Sequence, residues 1–141
     1  MSNLKPKRCY VGIDKEGTKR YYVNKKLHKK DGPAIEYANG TKCWYKNGLY
    51  HRDDGPAIEF ANGDKHWYKN DKPHRDGGPA FEKNNGDKFW CINGEQHRED
   101  GPAEEYADGT KYWWVNNKCY GKNNKFTNES WKFFVKTLIF S

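Results

Sequence analysis

The stretch Gly55-Pro-Ala-Ile-Glu-Phe-Ala-Asn-Gly-Asp-Lys-His-Trp-Tyr-Lys-Asn-Asp-Lys-Pro-His-Arg-Asp-Gly77 recurs along the chain, and its reading decides the fold. Trp44, Trp67, Trp90 and Trp113 are 23 residues apart at each step, and one further step back lands on Tyr21. The same step links Gly17, Gly40, Gly63, Gly86 and Gly109, and it links Asn24, Asn47, Asn70, Asn93 and Asn116. It also links His28, His51, His74 and His97, the Gly-Pro-Ala triplets at Gly32, Gly55, Gly78 and Gly101, and Glu36, Glu59, Glu82 and Glu105. A fixed period of this length is the signature of stacked supersecondary units, each too small to bury an apolar face alone.

Within one unit, Asn62-Gly63 reads as a two-residue hairpin turn with φ > 0 at both centres, and Asn70-Asp71 reads as a second turn. These turns predict a short β-meander: a strand over 57–61, another over 64–69 and a brief third over 72–75. Pro56 suits the first position of a strand, where no ladder donor is needed. A two-residue loop at Asn62-Gly63 places Ile58 opposite Trp67 and Ala57 opposite Tyr68. One face then carries Ile58, Phe60 and Trp67; the other carries Ala57, Glu59 and Tyr68. A turn at Asn70-Asp71 sets Trp67 opposite His74. The expected fold is all-β: an elongated antiparallel hairpin and meander array, a solenoid-like twisted sheet, with a short C-terminal capping helix. Its parts are a basic lead-in over 1–16, the repeats over 17–120 and the cap over 121–141. Cys9, Tyr10, Val11 and Ile13 suit a first strand. Thr127 or Asn128 can cap a helix whose Trp131, Phe134, Val135 and Leu138 share one face.

Composition agrees with a thin layered fold. The chain has 141 residues, 23 of them Trp, Tyr or Phe, against 13 Leu, Ile or Val. Its mean hydropathy is −1.28, yet it lacks the aromatic-poor signature of disorder. No apolar run is long enough to span a membrane, and the N-terminal residues carry no apolar leader core. The four cysteines, Cys9, Cys43, Cys91 and Cys119, are too scattered for a zinc-type pairing. Four free thiols in a reducing, cytoplasmic compartment are expected.

The formal net charge of +7 invites an anionic partner. Its distribution argues otherwise. Residues 1–30 carry ten basic and two acidic side chains, hence +8; residues 118–141 carry five and one, hence +4; the middle, with 11 and 16, is −5. A duplex-binding array would place its positive charge on the repeats.

The whole-repeat pattern from Trp44 to Gly63, W-Y-K-N-G-L-Y-H-R-D-D-G-P-A-I-E-F-A-N-G, resembles MORN repeats. The likeness covers about 17–120 and is closest to an H-R-x-D-G-P-A variant associated with phage and giant-virus proteins. It implies stacked β-hairpins and a non-catalytic binding or scaffolding role. The chain departs from the ordinary repeat in lacking the glycine before the aromatic, so the lipid binding sometimes proposed for MORN proteins transfers poorly, and no membrane partner is expected.

Every His, Asp and Glu of chemical interest occurs once per repeat, whereas catalysis needs a unique constellation. No enzyme activity, metal or cofactor is expected. Trp44, Trp67, Trp90 and Trp113, with His28, His51, His74 and His97, read as structural rows in which the histidine packs on the tryptophan. Asp31, Asp54 and Asp100 suit Asx turns, and Arg52, Arg75 and Arg98 can pair with the glutamate row. The candidate contact residues are Tyr22, Tyr45, Tyr68 and Trp114, a second aromatic row, together with Arg52, Arg75 and Arg98. The second row either meets a partner or packs, and the sequence allows both. The functional expectation is a non-enzymatic binder of a partner protein through an extended aromatic and charged sheet surface, a phage or viral factor that inhibits a host defence protein. The alternative is a binder of nucleotides or single-stranded nucleic acid.

Overall fold

A computed structural model describes residues 5–141. Among these, eleven short strands form one antiparallel meander in chain order, and a twelfth strand of the same sheet, Lys26–Leu27, pairs beside that path with Lys19–Val23. It begins with Cys9–Ile13 and Lys19–Val23. Each following repeat then adds two strands of two residues, such as Ile58–Glu59 and Lys65–His66. The sheet ends with Lys111–Val115 and Lys118–Lys122. Its second component is a row of two-residue hairpins, one per repeat, such as Tyr68–Lys69 paired with Lys72–Pro73.

The two components meet at the tryptophan. Trp67 is not within a strand: its N–H donates to the Ala80 carbonyl of the next repeat at 2.7 Å, and its own carbonyl accepts from His74 N–H at 3.1 Å. Trp44 and Trp90 do the same with Ala57 and Ala103. The expected six-residue strand is therefore two pieces, one in the main sheet and one in the hairpin row. Hairpins are tied to their neighbours as well, through Asp71 N–H to the Tyr50 carbonyl at 3.0 Å and Gly94 N–H to the Pro73 carbonyl at 2.9 Å. Edge-to-edge bonding in both rows satisfies backbone groups that an isolated unit would leave bare.

The second turn is as expected. Asn47-Gly48, Asn70-Asp71 and Asn93-Gly94 all have φ > 0 at both centres, with Asn70 at +49° and Asp71 at +64°. The first is not. Phe60 N–H bonds to the Asp64 carbonyl at 2.9 Å and Gly63 N–H to the Phe60 carbonyl at 3.0 Å, so the loop is three residues, Ala61-Asn62-Gly63. Only Gly63 has positive φ, +95°, while the Asn62 side chain accepts from Asp64 N–H at 2.9 Å. This is the three-residue loop with a left-handed glycine in its last place. Ile58 consequently pairs with His66, and Glu59 with Lys65.

That one-residue difference exchanges the faces. Ile35, Cys43 and Ile58 form a buried cluster, against which Leu27, Tyr45, Tyr50, Phe60 and Tyr68 pack. The tryptophans share the opposite face with Ala57 and Glu59. In the fourth copy the Ile35–Ile58–Phe81 row is broken by Glu104, which is buried, accepts from Tyr106 OH at 3.1 Å and takes a bond from the Gln96 side-chain amide.

The helix spans Asn128–Ile139, with Thr127 as N-cap in a reciprocal capping box with Ser130. Trp131 and Val135 are buried against Trp113 and Val115, with Tyr120, Phe126, Phe134 and Leu138 around them. The helix thus covers a face of the last strand pair. Among the described residues, no helix is long and apolar enough to cross a membrane.

Candidate functional site

The Trp-bearing face is built from one motif used repeatedly. The Arg52 guanidinium carbon lies 3.9 Å from the Trp44 ring centroid; Arg75 lies 3.9 Å from Trp67, and Arg98 lies 4.0 Å from Trp90. In the first copy, the Lys29 ammonium stands 3.8 Å from the Tyr21 ring. Each arginine also donates to the proline carbonyl of its Gly-Pro-Ala triplet and to the glutamate of the following strand, as Arg52 does to Pro56 at 3.1 Å and Glu59 at 3.0 Å. Asp54 and Asp100 accept from the Arg52 and Arg98 Nε at 3.0 and 2.8 Å. Gly77 stands where the third copy would place this acid, so Arg75 keeps only Pro79 and Glu82.

The triplet glycine makes room for this. A Cβ built on Gly55, Gly78 or Gly101 would stand 2.9, 2.9 or 2.8 Å from the guanidinium carbon. The plane is held between the indole and the glycine. The arginines expected as contact residues are thus engaged within the chain, bonded to carboxylates and stacked on rings.

The histidines do not supply the group stacked on tryptophan, since arginine takes that place. They link repeats. The Asn47, Asn70, Asn93 and Asn116 backbone N–H groups donate to Nδ1 of His28, His51, His74 and His97 at 3.0, 3.2, 3.0 and 3.1 Å. Nδ1 as acceptor requires the proton on Nε2 in the neutral ring. Nε2 in turn faces Asp53, Asp76 and Glu99 in the second to fourth copies, at 2.9, 3.0 and 3.2 Å.

The second aromatic row lies on the other face. Tyr45 and Tyr68 pack with the Ile58 cluster, and Tyr50 joins them with ring centroids at 4.3 and 5.5 Å. Burial, with the Tyr50 bond second, pushes the Tyr45 hydroxyl well above its ordinary range. Tyr22 stacks on Tyr10 at 4.7 Å. Trp114 has a buried indole nitrogen without a hydrogen-bond partner. The expected placement of Tyr45 and Tyr68 opposite the isoleucine layer is corrected: the two rows share a face because the loop has three residues.

Between successive repeats the Trp face opens into grooves. One, of about 790 Å³, is lined by Trp44, His51, Arg52, Asp53 and Asp54, with His28 and Lys46. The next, of about 490 Å³, has Trp67, His74, Arg75 and Asp76. A third, of about 510 Å³, has Trp90, His97, Arg98, Glu99 and Asp100. The same set therefore recurs with the repeat. Its arginines and histidines are mostly buried, while the acids project: Asp53 is 75% exposed, Asp76 74% and Glu99 58%. These acids were not among the residues singled out from the sequence. Their signal was an acidic residue two places after each histidine from His51 onward.

Among the described residues, no three His, Cys, Asp or Glu side chains gather as a metal-binding group. Cys43 and Cys91 are buried, and burial raises both thiols to about 11; Cys9 and Cys119 are exposed, and all four are free. Comparison with known protein families and with curated protein sequences finds no match for the chain.

Proposed function

We propose that the chain is a non-enzymatic binder of a partner protein, and that its contact surface is the Trp-bearing face. The observation that carries this reading is the recurrence, in register, of three grooves with the same Trp, His, Arg and acidic lining. Two main-sheet strands per repeat set successive grooves roughly 10 Å apart. That step equals about one three-residue turn of a polyproline II helix, so a segment in that conformation can place every third side chain in a groove. Lysines stand in the first groove (Lys29, Lys30 and Lys46) and the next (Lys69), but the groups that project in all three are the acids Asp53, Asp76 and Glu99, which favours a segment bearing Lys or Arg.

The same observation weighs against the nucleotide and single-strand reading. The arginines that would meet phosphate are bonded to Glu59, Glu82 and Glu105, and an exposed acid, Asp53, Asp76 or Glu99, stands in each groove. The resemblance to phage and giant-virus repeats gives the proposal its specific form: a cytoplasmic factor that occupies a host protein.

Capture from host lysate with the immobilised protein tests this, run beside the triple variant Asp53→Lys, Asp76→Lys, Glu99→Lys. A protein retained by the wild type and lost by the variant supports the reading. No retained protein, or retention that the variant leaves unchanged, overturns it.

A further inference from the structure

The N-terminal strand Cys9–Ile13 is the first of the sheet, and it pairs on one side only, with Lys19–Val23. Asn24 N–H bonds to the Arg8 carbonyl at 2.9 Å and Asp14 N–H to the Thr18 carbonyl at 3.1 Å. Bonded pairs in an antiparallel ladder recur at every second residue. The backbone groups of Arg8, Tyr10, Gly12 and Asp14 therefore point into the sheet, and those of Cys9, Val11 and Ile13 point outward. Among the described residues, nothing pairs with that outer edge. Its side chains are also bare: Tyr10 is 49% exposed, Val11 52% and Ile13 65%. A bare apolar edge is a template for another strand.

We propose that this edge pairs with the same edge of a second copy, antiparallel about a two-fold axis through Val11. Three relations meet at that one axis. The outward backbone groups lie at 9, 11 and 13, symmetric about 11, so Val11 bonds to the second copy's Val11, and Cys9 to the second copy's Ile13 in both directions. Tyr10 faces the second copy's Gly12, where a built Cβ meets nothing within 4 Å; an aromatic ring over a cross-strand glycine is a known stabilising pair. Arg8 faces the second copy's Asp14. Lys7 faces Lys15 across the same axis, so the association rests on the ladder and on apolar cover more than on charge. Paired residues share a face, so Cys9, Val11 and Ile13 of both copies join Tyr21 and Val23 in one apolar patch. The far end of the sheet is a poorer template. Its last strand carries a bulge, with Trp113 opposite Gly121 but Trp114 opposite Cys119, which twists an edge away from flat pairing. The two edges thus favour a closed dimer over a head-to-tail filament.

Sedimentation over a wide concentration range tests the pairing on the intact chain. The expected species has twice the 16.6 kDa monomer mass. Val11→Pro removes only an outward N–H, so it leaves the chain's own ladder intact and weakens association at least about tenfold. Ile13→Cys, made with Cys119→Ser, sets the introduced thiol beside the second copy's Cys9 and yields a covalent dimer on mild oxidation. A wild type that sediments as monomer at every concentration overturns the proposal. So does a dimer that neither responds to Val11→Pro nor forms a cross-link in the Ile13→Cys variant.

Discussion

Arg52 lies flat on Trp44, 3.9 Å from its ring centroid, with Gly55 against its other side. The Arg52 side chain is only 21% exposed, and its guanidinium bonds at once to Asp54, Pro56 and Glu59. One side chain thus ties the indole, the Gly-Pro-Ala segment and the following strand of the sheet. Arg75 and Arg98 repeat the arrangement.

Two substitutions probe that tie. Arg52→Lys keeps the charge but loses the planar fork and the stacking, and should destabilise by about 1–3 kcal/mol. Gly55→Ala should cost a similar amount, because its Cβ would fall 2.9 Å from the guanidinium carbon and displace the stack. Urea unfolding midpoints at pH 7 check both, and a change under about 0.3 kcal/mol for either would refute the tie.

His66 sets a pH dependence. Its ring lies 4.8 Å from Phe60 and 4.7 Å from Phe81, with the Lys83 ammonium 3.1 Å from Nε2 and Asp64 nearby. Burial first, then the Lys83 charge, lower its pKa from 6.5 to about 4. Between those values the unfolded chain holds more protons than the folded one. His66 therefore subtracts stability as pH falls from about 6.5 to about 4, by roughly 1–3 kcal/mol, with no further loss below that window. Phe89 occupies the same place one repeat on, so His66→Phe fits the site. The wild type should lose stability relative to His66→Phe across this window; parallel pH profiles would contradict it.

Thiol reactivity should divide the cysteines two and two. Cys43 and Cys91 are 3% and 6% exposed, with thiols raised to about 11 by burial. An aromatic disulfide reagent at pH 8 should modify Cys9 and Cys119 in the native protein and all four in denaturant. Four rapid equivalents from the native state would count against the described core.

The helix should be a stabilising cap. Trp131 is fully buried and its indole N–H donates to the Arg98 carbonyl at 2.8 Å. Trp131→Ala should cost about 3–5 kcal/mol. Thr127→Ala, which removes the capping oxygen, should cost about 1 kcal/mol. Calorimetric unfolding of both variants separates the two magnitudes; equal effects would refute the assignment.

The period was readable from residue types alone, because a 23-residue recurrence of Trp, Asn-Gly, His and Gly-Pro-Ala admits only stacked identical units. The sequence likewise determined the antiparallel meander, the second turn at Asn70-Asp71, the pairing of Trp67 with His74 and a helix capped at Thr127 or Asn128, of which the structure uses Thr127. The two-residue reading of Asn62-Gly63 was wrong by one residue of register. Asn62-Gly63 is compatible with both a two-residue and a three-residue loop, and local propensity separates them by little. The tertiary structure chose the longer one, since only that register sets Ile58 beside Tyr45 and Tyr68 and leaves the tryptophan face to arginine. Side chains alternate along a strand, so that single step decided which rings are interior and which line the grooves.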